Sequence, residues 1–159
     1  MKARHAILVA LAAAFMLTSV AAARPDAAKQ RVSITFPAAK ASPVSPFVLT
    51  PLQAGPIKKD SGTATAVWGP GRDVMREGQR VSIAEDVATF KGKRGSLVIR
   101  SRVDWVNAAN GYNVGIGTWK VARGTGEYAG VIGGGRSGAV YIEDGPTFSG
   151  RSEGFLTLP

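Results

Sequence analysis

Glu127 and Tyr128 lie together in the segment Gly124-Thr-Gly-Glu-Tyr-Ala-Gly130, and they are the pair in this chain best placed to move a proton. The sequence has no Cys, and His5 is its single His. Disulfides, zinc ribbons, thiol nucleophiles and Ser-His-Asp chemistry are therefore excluded, and acid–base work falls to Asp, Glu, Tyr or Lys. No spacing of metal ligands is present, so neither a metal nor another cofactor is expected. Among the other carboxylates, Glu85-Asp86 and Glu143-Asp144 read as solvated turns, the second running into Gly145-Pro146. Asp104 reads as a surface partner of Arg100 or Arg102, an arrangement of little energetic weight.

Binding chemistry has three candidate sources. Trp105, Trp119, Tyr128 and Tyr141, with Trp68 and Tyr112, are aromatic side chains that either fill a core or line a ligand cavity. Lys91, Lys93, Arg94, Arg100 and Arg102 fall on one expected hairpin and its outer face. Such a basic patch suits an anionic envelope surface and would act in a salt-sensitive way, or it serves solubility alone. Aromatic residues do not interleave with it, which argues against nucleic acid. Gly133, Gly135 and Gly138 formally satisfy G-x-G-x-x-G, but the residues that follow read as strand, where a dinucleotide site requires a helix. No Gly-Lys-Ser/Thr follows, so a P-loop fails as well.

The elements that must position these groups begin with an address. Residues 1–23 carry Lys2 and Arg4, then a 15-residue apolar run, then Ala21-Ala22-Ala23, the pattern of a cleaved secretory signal peptide. The run is short and Ala-rich for a transmembrane span, and no second one follows, so the cleaved chain is expected in the periplasm or outside the cell. Cleavage removes His5 and takes the net charge from +9 to +7. Residues 24–60 hold six of the nine prolines and read as an extended leader, with one alternating run at 31–36 that fits a strand. Phe47 to Leu49 reads either as an apolar strap over the core or as linker.

From residue 61 the text turns to period two. Strands are expected at 61–68, 80–83, 87–90, 96–106, 114–122, 138–143 and 147–158, with breaks at Gly69-Pro70-Gly71, at 91–95 and at Asn110-Gly111. The clearest is 96–106, where Leu97, Ile99, Val103 and Trp105 share one face and Arg100, Arg102 and Asp104 the other. Turn signals every 8–12 residues and no helical stripe predict an all-β domain over 61–159, a sandwich or a closed barrel. In such a sheet the glycines serve a bend, with Tyr128 packed beneath it.

The segment from Trp119 through Gly124-Thr-Gly-Glu-Tyr-Ala-Gly130, the Gly-rich strand after it and the closing Phe155-Leu156 resemble the allene oxide cyclase/dirigent-like barrels. Ala88-Thr89-Phe90 and Gly95-Ser96-Leu97 are similar to the strand-turn-strand preceding that segment in the family, so the resemblance covers roughly 61–158. It implies an antiparallel closed barrel of about eight strands, calycin-like, with a small apolar cavity. The family's active-site residues find no position-by-position match here, so the fold is carried over and the activity is not. The expectation is an exported, non-catalytic barrel that binds a small apolar or aromatic ligand or serves a structural role. The alternatives are a cyclase-like isomerase that confines a reactive substrate, with Glu127 or Tyr128 steering protons, and an envelope-interaction protein using the basic patch.

Overall fold

A computed structural model describes residues 29–108 and 110–159. The expected signal peptide, with His5, lies outside the described residues. Nine strands follow in order: β1 (Lys29–Lys40), β2 (Val44–Pro51), β3 (Asp60–Trp68), β4 (Arg72–Arg76), β5 (Gln79–Gly92), β6 (Ser96–Asn107), β7 (Tyr112–Gly124), β8 (Ile132–Ile142) and β9 (Thr147–Thr157). Among the described residues the one helical element is a 3-10 turn, Gly126–Tyr128, and no helix is long and apolar enough to cross a membrane.

The strands pair antiparallel in the order β3-β2-β1-β9-β8-β7-β6-β5, and β3 pairs with β5 to close an eight-stranded barrel. The ninth strand, β4, extends the line of β3 along the same flank of β5. Gly62–Trp68 pair with Gly92–Asp86, and Arg72–Arg76 continue with Ile83–Gln79. Closure pairs each of the eight barrel strands with a neighbour on both sides, which limits the free edge that an all-β chain offers for edge-to-edge association to β4 and the first residues of β2.

Alternation fixes which side chains face inward. On β6 the inward set is Leu97, Ile99, Ser101, Val103 and Trp105, and Arg100 and Arg102 are exposed outside, as the period-two pattern predicts. The Asn110-Gly111 turn is also as expected, with both residues at positive φ, the geometry that the tightest hairpins demand.

Three expectations are corrected. The barrel begins at Lys29, not at residue 61: the stretch read as a Pro-rich leader supplies β1 and β2. Its prolines are tolerated because they fall where the ladder is interrupted. Pro37 sits in the register shift between Phe36 and Ala39, Pro51 ends β2, and Pro46 lies in the part of β2 paired with β3 but not with β1. The runs 80–83 and 87–90 are one strand, β5, so Glu85-Asp86 is not a turn. Nothing from Ala84 to Val87 breaks a strand, and the two carboxylates take opposite faces, Glu85 opposite Arg102 and Asp86 opposite Ser101. Asp104 pairs with Arg76 rather than with Arg100 or Arg102, because strand neighbours on one face lie across the sheet as well as along it.

The glycine-rich stretch is itself strand. β8 starts at Ile132, so Gly133 and Gly135 are inward positions paired with Leu156 and Gly154. A Cβ on Gly135 would stand 2.0 Å from the Glu153 carbonyl oxygen, and one on Gly154 would stand 2.7 Å from the Trp119 ring. The glycines allow strongly coiled backbones and a buried indole to share one layer of the barrel.

Candidate functional site

The barrel interior is filled at one end and open at the other. At the filled end Val32, Leu49, Ile57, Leu97, Trp119, Tyr128, Val131 and Leu156 pack into one cluster, and Trp119 Nε1 donates to the Arg136 carbonyl at 3.2 Å. At the open end the inward residues are too small to meet across the lumen. Ser82, Ala84, Asp86 and Ala88 line β5, Ser101 and Val103 line β6, and Ser137 and Ala139 line β8. They leave a cavity of about 560 Å³. Phe36 and Phe90 close it toward the packed end, with centroids 5.6 Å apart in a tilted contact, and Phe148 lines the wall edge-on to Phe36 at 5.9 Å. Trp68, Trp105, Asn113 and Tyr141 stand around its mouth, Trp68 half exposed.

Asp86 is the only carboxylate among the described residues that line this cavity. Its residue is 9% exposed, and burial pushes its carboxyl above the usual carboxylate range, with a hydrogen bond from the Ser101 hydroxyl working the other way. Arg151 also borders the cavity, but as an odd-numbered residue of β9 it points outward, where it pairs with Glu153. Across the lumen the buried Ser137 Oγ has no hydrogen-bond partner among the described residues. The cavity thus joins aromatic and aliphatic walls to one desolvated acid and a free hydroxyl.

The groups expected to do chemistry are divided by the fold. Trp105 and Tyr141 line the cavity. Trp119 and Tyr128 do not, because they build the filled end. Tyr128 is buried and its hydroxyl donates to Asp60 Oδ2 at 2.9 Å, so burial and the neighbouring carboxylate push its ionisation well above the ordinary tyrosine value. Burial raises the Asp60 carboxyl, but that hydrogen bond and the Ser61, Lys93 and Arg94 amides overcome it and hold the carboxyl below its ordinary value. Beside it, Gln30 bridges Ile57 in both directions, accepting from its amide at 2.7 Å and donating to its carbonyl at 2.9 Å, which ties the 52–59 connection over the barrel end. Glu127 lies outside this plug in a two-oxygen contact with Arg94 at 2.9 and 3.0 Å. Both weak catalytic candidates therefore sit at the end opposite the cavity.

The basic residues are likewise divided. Arg94 is engaged by Glu127 and the Lys59 carbonyl, whereas Lys91, Arg100 and Arg102 lie exposed on the outer faces of β5 and β6, with Lys120 opposite Arg100. Ser101 and Ser137 are cavity groups that the sequence reading did not single out, and Asp86 was read there only as part of a solvated turn. One signal for Asp86 was present: Ser82, Ala84, Asp86, Ala88 and Phe90 alternate as a face of small residues with one acid among them.

Compared with protein-family models, curated proteins and solved structures, the chain matches none.

Proposed function

We propose that this protein is an exported, non-catalytic barrel that carries one small apolar or aromatic molecule in its open end. The observation that carries the reading is the 560 Å³ cavity, walled by aromatic and small apolar side chains and closed at its far end by the packed cluster. That size falls within the range of small-molecule pockets. Export is supported by the signal-peptide pattern of residues 1–23. The likeness of the Gly-Thr-Gly-Glu-Tyr segment to the allene oxide cyclase/dirigent-like barrels supports a hollow barrel rather than a filled one.

Titration with N-phenyl-1-naphthylamine, a neutral aromatic probe, tests the reading. Saturable fluorescence enhancement is expected at micromolar probe, together with a change in the emission of Trp68 and Trp105. No binding of this probe, and no thermal stabilisation by any lipid or phenolic in a screen, would sink it.

The second reading, a cyclase-like isomerase, gains one observation. A carboxyl pushed up by burial inside an apolar cavity is suited to holding a proton near a bound substrate. Asp86, rather than Glu127 or Tyr128, would then be the proton-handling group. Turnover of any responsive substrate should fall at least a hundredfold in Asp86→Asn and be unaffected by Glu127→Gln.

A further inference from the structure

We propose that the cavity selects an amine: a small apolar or aromatic molecule whose ammonium group docks on the Asp86 carboxylate. The inference rests on the carrier reading above and adds the chemistry of the ligand. Asp86 is nine-tenths buried in the cavity wall, and its one side-chain hydrogen bond comes from Ser101. The inward positions flanking it carry no charge: Ala66 and Trp68 on β3, Ser101 and Val103 on β6. At the rim, Asp73 is held by Arg80 and Ser82, and the Arg100 and Arg102 guanidiniums are exposed on the outer face of the wall. Among the described residues the acid is therefore desolvated without a cation to balance it.

A guest of each charge type would meet this acid differently. A neutral apolar guest would displace water from the mouth and desolvate the carboxyl further. An anionic guest would add repulsion at the same point. An ammonium would supply the missing charge through a charge-assisted hydrogen bond and favour the ionised acid. The surroundings suit such a group as well. Trp68 is the cross-strand partner of Asp86, and Trp105 lines the same mouth, so indole faces are at hand for a cation. The Phe36, Phe90 and Phe148 rings lining the cavity receive the hydrocarbon part.

Three ligands of one size separate the possibilities: 3-phenylpropylamine, 3-phenyl-1-propanol and 3-phenylpropanoate, measured by calorimetry near neutral pH and by displacement of N-phenyl-1-naphthylamine. The amine is expected to bind at least tenfold tighter than the alcohol, and the carboxylate weaker than both. In Asp86→Asn the amine and alcohol should come within twofold of each other while the naphthylamine still binds. Ser101→Ala, which keeps the carboxylate and removes its neutral partner, should retain the amine preference. Equal affinities of amine and alcohol in the native protein, or a preference that survives in Asp86→Asn, would overturn the inference. Naphthylamine binding without amine preference defeats this inference alone, whereas loss of both defeats the carrier reading with it.

Discussion

Asp60 and Asp86 are both buried carboxylates, yet they should drive stability in opposite directions as pH changes. Burial raises both, but at Asp60 three backbone amides and the Tyr128 hydroxyl reverse the effect, and at Asp86 the Ser101 hydroxyl does not. A carboxyl held below its ordinary 3.8 stabilises the fold above that pH, and the contribution is lost as pH falls through its folded value. Asp86 behaves inversely: the folded state holds its proton more tightly, so stability declines as pH rises from the ordinary carboxylate range through the raised value. Asp86→Asn should therefore raise the melting temperature at neutral pH and leave it unchanged near pH 3, as read by circular dichroism across that range. Asp60→Asn should lower it at neutral pH, the deficit shrinking in acid. Tyr128→Phe removes one hydrogen bond to a charged group and should cost about 1–3 kcal/mol in denaturant unfolding, with no effect on ligand affinity, since Tyr128 is at the end away from the cavity.

At the scale of elements, the middle of the barrel was legible in the sequence and its beginning only in the alternating run at 31–36, which lies within β1. β6 and β7 announce themselves because one face is buried and the other wet, so Leu97, Ile99 and Val103 alternate cleanly with Arg100 and Arg102. β1 and β2 hide behind Pro37, Pro46 and Pro51, since a proline signals a missing ladder bond without revealing that its position has no ladder bond to lose. The first half of β8 hides behind its glycines, whose strand role depends on the Trp119 indole and the β9 backbone, neither of which lies nearby in sequence. Gly154→Ala should show that dependence. Its methyl would meet the Gly134 carbonyl oxygen at 2.2 Å as well as the Trp119 ring, and a loss of about 2–4 kcal/mol is expected in chemical denaturation.

The molecule as a whole divides its interior between holding itself together and leaving room. Trp105 and Tyr141 were readable as candidate cavity residues because they are aromatics on strands. Which aromatics line a void and which fill the core depends on the level each occupies along the barrel axis, and that follows from register between strands distant in sequence. The same holds for Asp86, whose significance comes from the small residues around and opposite it. Ala84→Trp should separate the two halves of the interior: filling the open end should abolish N-phenyl-1-naphthylamine binding while the melting temperature stays within a few degrees, because the packed end is untouched.

The wall beside the cavity is incomplete. β1 pairs with β2 over Val32–Thr35 only, so the first four residues of β2 have β3 on one side and no β1 partner on the other, next to Ala41, Ser42 and Ser45 at the cavity edge. Val44, Ser45 and Pro46 are not buried, so backbone there can open locally while Phe47 stays anchored against Phe90, and local openings of this kind occur far more often than global unfolding. Residence time in the cavity should then be set by the fraying of this slot. A disulfide placed across the slot would slow release with little gain in affinity, and Asp60→Asn, though it weakens the whole fold, would leave the release rate where it was.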